Sequence, residues 1–337
     1  MVYCFQLLPH ANIRYQESLD QLGAAELRCL LDTLGLHDVP LQRECLGGAA
    51  FLTFDVPELN ADQLRLLARH SALLMLCSRE DGLLRPLDIV RPDYLPRDLA
   101  EVLKYKGKTS ATFTTMMIDL ALCASAYHHA AAPITVLDPI CGRGTTCFCA
   151  LQRGMNAIGM DVDRRDLKEC ADYFSRYLQY HKLKHKLDQS ARTVRRHSIP
   201  EALYTLADTK EHFQQKDTRT LRLLQGDTGL IGELLRKSPA EILVADLPYG
   251  VQHAPQDGRQ AESFEGLLKR VLPAWKAALK PGGAMAVSFN TLTLPRKKLI
   301  SLMEGAGLHV LTEAPYDSFE HFVEQAVTRD VVVARRD

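Results

Sequence analysis

The sequence predicts an α/β chain in two parts: a seven-stranded, mostly parallel Rossmann-like sheet with a terminal antiparallel hairpin, preceded by a small α+β unit of ferredoxin-like order. Three observations predict it. Beyond position 105 the apolar runs ITVLD, NAIGMD, LRLLQGD, EILVAD and AMAVSFN alternate with helical stretches, the pattern of a parallel sheet covered on both faces. The last two runs, GLHVLTE and AVTRDVVVA, are separated by too little chain for a helical crossover, which makes them an antiparallel pair. Before position 80 the element types follow one another as β-α-β-β-α-β.

That first part reads as an apolar run at 2 to 8, helical periodicity across 15 to 35, extended runs at 39 to 45 and 49 to 56, a helix at 60 to 71 and a strand at 72 to 78. This is the order of a split βαβ domain over residues 1–80. Residues 81–104, DGLLRPLDIVRPDYLPRDLAEVLK, carry Pro86, Pro92 and Pro96, each of which interrupts regular hydrogen bonding, and read as a linker. The second domain is expected over 105–337. Within it, 176–222 holds HKLKHK and RTVRRH and is too polar for a sheet core, so it reads as a helix extension plus a basic insertion. A solvated charged helix without a ligand is the competing reading.

The 337 residues, 46% hydrophobic and 24% charged, suit globular folding with room for two domains. Lys plus Arg and Asp plus Glu both number 41, so any basic surface for a polyanion must come from local clustering. The start, MVYCFQLLPHANIRYQ, lacks a cationic lead into a long apolar core, and no stretch approaches the roughly twenty apolar residues that span a bilayer. Nine scattered cysteines, an odd number, fit reduced thiols and a cytoplasmic location better than a disulfide framework.

The strongest single motif is VLDPICGRGTTCFCAL at 136–151. An apolar strand ends at Asp138, Gly142 and Gly144 follow, and a helix begins near Thr145, which sets bare backbone at the sheet's carboxyl edge, where ligands bind. Asp138 suits a cationic amino or sulfonium group. GMDVD closes a second strand at Asp161, twenty-three positions later, the spacing at which an acid accepts hydrogen bonds from ribose hydroxyls. Together the two acids describe a cofactor bearing a nucleoside. A dinucleotide fits less well, because Cys147 occupies the third glycine position of G-x-G-x-x-G and Asp138 would repel a pyrophosphate.

The decisive element is ILVADLPYG at 242–250, where a buried strand delivers Asp246, Leu247, Pro248 and Tyr249 to the same edge. A carboxylate, an adjacent carbonyl and an aromatic face are what methylation of a base amine needs. The exocyclic nitrogen is a poor nucleophile because its lone pair is delocalised, and two acceptors on its hydrogens favour a pyramidal, reactive form. Tyr249 would stack on the base, worth about 1 to 3 kcal/mol. Positioning then supplies much of the rate with neither metal nor covalent intermediate. A plain strand-ending turn is the bland alternative.

The pairing of DPICGRGT with DLPYG, preceded by KGKTSATFTTMMIDLAL, resembles the class I S-adenosylmethionine-dependent amino-methyltransferases of the THUMP-associated tRNA guanosine-N2 methyltransferase group, over roughly residues 105–337. The resemblance implies S-adenosyl-L-methionine as cofactor and tRNA, or another structured RNA, as partner. By that likeness Phe113 and Thr114 match the segment lying against the methionine carboxylate, and Asp138, Cys141, Gly142, Gly144 and Thr145 the glycine loop. Asp161 with Val162 matches the ribose acid, Asp227 with Thr228 the adenine-contacting position, and Asp246, Leu247, Pro248 and Tyr249 the catalytic tetrapeptide, Asp246 also bordering the cofactor. The chain departs from the commoner tetrapeptide at Leu247, where a proline usually stands, and residues 1–100 show no full THUMP module. The N-terminal domain is expected to aid RNA binding. Adenine N6 in DNA or RNA, protein glutamine, or a cofactor-binding RNA module without turnover remain open, as do a homodimer and an activating subunit.

Other signals are set aside. Lys106 to Thr109 contains GKT, but Val102 stands where a phosphate loop needs glycine. Cys141, Cys147 and Cys149 lack metal-finger spacing and read as small side chains packing around the loop. His128, His129 and Trp275 are given no role, and His321 and Arg329 are left outside the site.

Overall fold

The computed structural model describes residues 1–9, 13–89, 91, 93–105, 107–130, 132–237, 239–248 and 263–337, without the side chains at 13–15 and 17. The chain divides into two compact units, Met1–Pro92 with Thr312–Asp330, and Asp93–Leu311 with Val331–Asp337.

The first unit runs β1 (Val2–Leu7), α1 (Ile13–Thr33), β2 (Gln42–Leu46), β3 (Ala49–Asp55), α2 (Ala61–Leu67), β4 (Leu73–Glu80) and β5 (Leu83–Pro86). The sheet order is β2-β3-β1-β4-β5 with every neighbouring pair antiparallel. The helix α2 starts where the sequence supplies a capping box, Asn60 accepting from the Gln63 amide while the Gln63 side chain accepts from the Asn60 amide. Tyr3, Phe5, Leu27, Leu30 and Phe54 are all but closed to solvent and form the core between helices and sheet.

The expected linker at 81–104 is corrected by this structure. β5 pairs with β4 from Glu80↔Leu83 to Cys77↔Pro86, so the first unit continues past residue 80. Pro86 is tolerated because it ends an edge strand, where a missing N–H costs no ladder bond. From Asp93 the chain belongs to the second unit, with the Tyr94 amide donating to the Gln152 carbonyl at 2.6 Å. The first unit also takes in Thr312–Asp330, where the Gln21 side chain donates to the carbonyls of Ser318 and Glu320. Such a return over some three hundred positions leaves no local mark in the sequence.

The second unit begins with α3 (Leu99–Val102) and α4 (Ala111–Ala124), then β6 (Thr135–Asp138), α5 (Thr145–Gln152), β7 (Asn156–Asp161) and α6 (Arg164–Tyr180). There follow β8 (His185–Val194), β9 (His197–Leu206), α7 (Lys210–Gln214), β10 (Arg219–Gln225), a single 3-10 turn (Thr228–Leu230) and α8 (Ile231–Leu234). β11 (Ala240–Asp246), α9 (Phe264–Ala278), β12 (Leu279–Asn290), α10 (Arg296–Gly305) and β13 (His309–Leu311) complete the run. β14 (His321–Glu324) lies in the returning segment of the first unit and pairs with the start of β15 (Val327–Arg335).

The large sheet has the order β13-β15-β12-β11-β6-β7-β10-β9-β8. Its five central strands are parallel, and numbered by their own appearance they read 3-2-1-4-5, a doubly wound sheet whose direction switches between β6 and β11. β13 and β15 form the expected antiparallel pair. Seven strands were expected, and β8, β9 and the short β14 against β15 are additional. In the stretch 176–222 the helix extension is short, α6 ending at Tyr180, and the basic insertion is a hairpin that adds to the edge of β10. The reason is visible in β9, which is covered on both faces, Ile199 packing in the core of Met160 and Leu224 and Tyr204 against Phe174 of α6, whereas β8 buries almost nothing.

Trp275, Leu268, Val271 and Leu272 turn the apolar side of α9 onto the sheet, each such side chain contributing about 1.5–3 kcal/mol on burial. Among the described residues no helix is long and apolar enough to cross a membrane.

Candidate functional site

The switch between β6 and β11 leaves a crevice at the carboxyl ends of the strands, the place where open α/β sheets take ligands. β6 ends there in Asp138, which is buried, and its carboxylate accepts from the Ile140 amide at 3.1 Å and from the Thr146 hydroxyl. Burial pushes its pKa up to about 7, the carboxylates of Asp161 and Asp246 adding to the rise against those two hydrogen bonds. The mutual influence places all three acids at one rim.

The loop after Asp138 depends on two glycines in left-handed conformation, Gly142 at φ +50° and Gly144 at +86°. They do different things. A Cβ on Gly144 would stand 2.5 Å from the Cys170 sulfur, so that glycine lets α5 close onto α6. A Cβ on Gly142 would meet nothing within 4 Å, so its backbone borders open space. The Cys141 thiol shares a hydrogen bond with Cys147 and is buried, which together hold it well above the ordinary thiol range. Both sulfurs press on Gly159 of β7, a packing role, and all nine cysteines are free.

β7 ends in Asp161, whose two oxygens accept from the Gly142 amide at 2.7 Å and the Asp163 amide at 2.9 Å. Helix capping is left to Asp163, which accepts from the amides of Arg165 and Asp166. Asp161 is therefore not needed to start α6, and burial raises its pKa. Among the described residues no lysine or arginine pairs with Asp138 or Asp161. Val162 beside it is 74% exposed, an apolar side chain standing at the rim.

β11 brings Asp246, which accepts a hydrogen bond from the Thr109 hydroxyl. Leu247 is buried in the core and its amide donates to the Ser288 carbonyl of β12 at 2.9 Å. A proline there would lack that donor, which accounts for leucine at this position. Pro248 is exposed, and Tyr249 lies outside the described residues.

The other expected residues each have a structural partner of their own. Asp227 caps the 3-10 turn through the Gly229 amide and pairs with Arg270 at 2.8 Å, an ordinary exposed ion pair. The Thr228 hydroxyl accepts from the Trp275 indole at 2.8 Å, a structural tie. Phe113 and Thr114 lie in the first turn of α4, capped by the Ser110 hydroxyl, and both side chains are buried. Thr145 is buried too, with its hydroxyl 3.0 Å from that of Tyr105. No group of three or more possible metal ligands occurs among the described residues.

With this geometry in view, similar solved structures can be set beside it. A structure of TrmN from Thermus thermophilus is 16% identical, with 99% of this chain and 81% of that one aligned and a TM-score of 0.40. A TehB-like SAM-dependent methyltransferase from Corynebacterium glutamicum is 16% identical over 62% and 84% of the two chains, at 0.35. A ribosomal protein L11 methylase from Lactobacillus delbrueckii subsp. bulgaricus is 12% identical over 67% and 80%, at 0.36. These likenesses are too loose to assign activity. The chain matches no described protein family and no curated relative.

Two groups at the site escaped sequence reasoning. Thr109 falls in the GKT that was set aside for lack of a phosphate-loop glycine, and its hydroxyl instead reaches Asp246. Arg143, inside the glycine loop, lies 4.8 Å over the Tyr105 ring and pairs with Asp166 and Glu169, fixing the loop from outside. Neither contact has a signature in spacing, since each joins segments far apart in the chain.

Proposed function

We propose that the chain is an S-adenosylmethionine-dependent methyltransferase that modifies an exocyclic amine on an RNA base, with guanine N2 in tRNA as its target. The observation that carries this reading is the meeting of Asp138, Asp161 and Asp246 at the strand switch beside the open side of Gly142. The residues fit the cofactor on their own chemistry. A buried carboxylate without a cationic partner, its pKa pushed up to about 7, gains most from a ligand that brings positive charge. Asp161 keeps lone pairs beyond its two amide bonds for ribose hydroxyls, and Val162 offers apolar surface at the rim for a purine.

When bound, S-adenosylmethionine supplies an electrophilic sulfonium methyl. Asp138 holds the cationic end, and the bare backbone at Gly142 admits close approach. Asp246 accepts a hydrogen bond from the target amine, and the Leu247 carbonyl is the second acceptor. Tyr249 is assigned the stacking role. The exposed Pro248 stiffens the turn between them.

The N-terminal unit, with its antiparallel order β2-β3-β1-β4, fits a ferredoxin-like domain assigned to RNA docking, and the cytoplasm is the matching compartment. The deciding experiment incubates the enzyme with labelled cofactor and total RNA, total DNA or protein, then identifies the product by mass spectrometry. N2-methylguanosine in tRNA is the expected product. N6-methyladenine or methylglutamine would move the assignment to that substrate, and no transfer to any pool would refute the enzyme reading.

A further inference from the structure

The hairpin β8–β9 is the part of the large sheet that the proposed chemistry leaves unused. Its register places it. β9 runs antiparallel to β10, ending on the pair Leu224↔Glu201, so residues 194 to 198 extend past the carboxyl end of β10, on the side of the crevice. Three strand spacings separate β9 from β6, which sets the tip about 14 Å along the sheet from the strand of Asp138.

The turn at the tip is unusual. Val194↔His197 is the last pair, leaving a two-residue connection made of Arg195 at φ +47° and Arg196 at φ +70°. Two positive φ values are the type I′ pattern, for which Asn-Gly is the favoured sequence because β-carbons are crowded there. Two arginines accept that strain and keep two cations exposed at the edge.

Charge supports the same direction. Positions 181 to 201 carry six Lys or Arg and three His against two Asp or Glu, in a chain whose total charge is zero. One of those acids, Glu201, is buried between the guanidiniums of Arg192 and Arg222. Strand β8 is exposed along nearly its whole length, and its outer edge has no partner strand among the described residues. The tip also forms one wall of an open cavity of about 1010 Å³ that runs from Gln225 at the carboxyl end of β10 to Pro239 and Leu279 at the amino ends of β11 and β12, with Arg236 and Arg270 on its lining. Glu233 anchors Arg195 and Asp227 anchors Arg270, while Arg196 and Arg236 are exposed.

We propose that the β8–β9 hairpin is an RNA-holding arm, in which Arg195, Arg196 and Arg236 contact backbone phosphates of the RNA at a distance from the target nucleotide. The proposal rests on the reading of the chain as an RNA base methyltransferase and adds where the backbone is gripped. Phosphate fits better than an acidic peptide because the cations from Lys182 to Arg196 continue along a strand and a turn beyond those that line the cavity. A polyanion of regular charge spacing can follow such a row.

The test replaces Arg195→Asn together with Arg196→Gly in the full chain. This installs the favoured type I′ pair, so the variant melts no lower than wild type while losing two cations. Binding to unfractionated tRNA is measured between ~50 and ~200 mM salt, with polyglutamate as a second probe. The expected result is at least tenfold weaker tRNA binding and a salt slope smaller by about 1.4 to 1.8, from two lost phosphate contacts at ~0.7–0.9 each. Arg236→Gln should lower the slope by about half as much. S-adenosylmethionine affinity stays unchanged. Unaltered tRNA affinity and slope would overturn the arm, as would equal loss for polyglutamate, which would make the surface a site for an acidic polypeptide. Wild-type protein without affinity for tRNA would overturn it as well. Methyl transfer to RNA with an indifferent arm would leave the catalytic reading standing, whereas salt-dependent binding through the arm without transfer to any substrate would refute the catalytic reading alone.

Discussion

Four aspartates sit at or just beyond the carboxyl ends of β6, β7, β11 and β10, and in the sequence they look alike: VLD, GMD, VAD and QGD. Their surroundings divide them. Asp138, Asp161 and Asp246 share one rim; Asp138 is buried and Asp161 half-buried, and neither has a cationic partner among the described residues. Asp227 stands half exposed, caps a turn and pairs with Arg270. A carboxylate that is desolvated and unpaired costs free energy that a cationic or hydroxyl-bearing ligand can recover, while an exposed paired one has little left to gain.

The sharpest test of that division compares Asp246→Ala with Asp227→Ala. Loss of the proposed acceptor on the reacting amine should slow single-turnover transfer by about a hundredfold or more. The Asp227 variant should stay within about threefold of wild type, because an exposed ion pair is worth only about 0–1 kcal/mol. Equal rates for the two variants would erase the distinction.

Next in size is Asp161→Ala. It removes the proposed ribose acceptor and also frees the Gly142 amide, so cofactor affinity should fall about ten- to a hundredfold by calorimetry, at roughly 1–3 kcal/mol for the lost acceptor. Asp163→Ala makes the control: it should lower stability through the cap of α6 and leave affinity largely intact. The reverse pattern would assign the ligand to the wrong acid.

How much of this was legible in the sequence follows the same line between near and far. Strand ends, the glycine loop and the first-unit elements were visible because each is a local pattern: apolar runs closed by Asp138, Asp161 and Asp246, or alternation broken by a capping residue such as Asn60. The β8–β9 hairpin was legible only as a basic insertion after a helix extension, because its outer strand has no buried row to show period two. The partners of Asp227 and Thr228 were invisible since Arg270 and Trp275 come from α9, more than forty positions away. Thr109 reached the site for the same reason, through a contact across 137 positions.

A third consequence concerns pH. Burial pushes Asp138 up to about 7, above the roughly 3.9 of an unfolded aspartate, so the folded protein without ligand binds an extra proton between those values. Its share of stability is therefore greatest at low pH and is lost as pH rises through about 7. A cationic ligand selects the ionised form, so S-adenosylmethionine affinity should climb by up to about tenfold per pH unit below 7 and level off above it. Asp138→Asn should bind weakly at every pH with a flat profile. A sloped profile in that variant would place the titrating group elsewhere.

The smallest effect lies on the other side of the comparison. Asp227 and Arg270 have side chains 49% and 43% exposed, so solvent screens their attraction, and the capping bond to the Gly229 amide is the larger loss when the carboxylate goes. Asp227→Asn keeps a cap acceptor and removes only the charge. It should shift the melting temperature by no more than about 2 °C, while Asp227→Ala costs about 1 kcal/mol more through the turn. Both should titrate with S-adenosylmethionine as wild type does. A Asp227→Asn variant that instead lost cofactor affinity would show that the exposed acid takes part in binding after all, and burial would cease to be the property that marks the site.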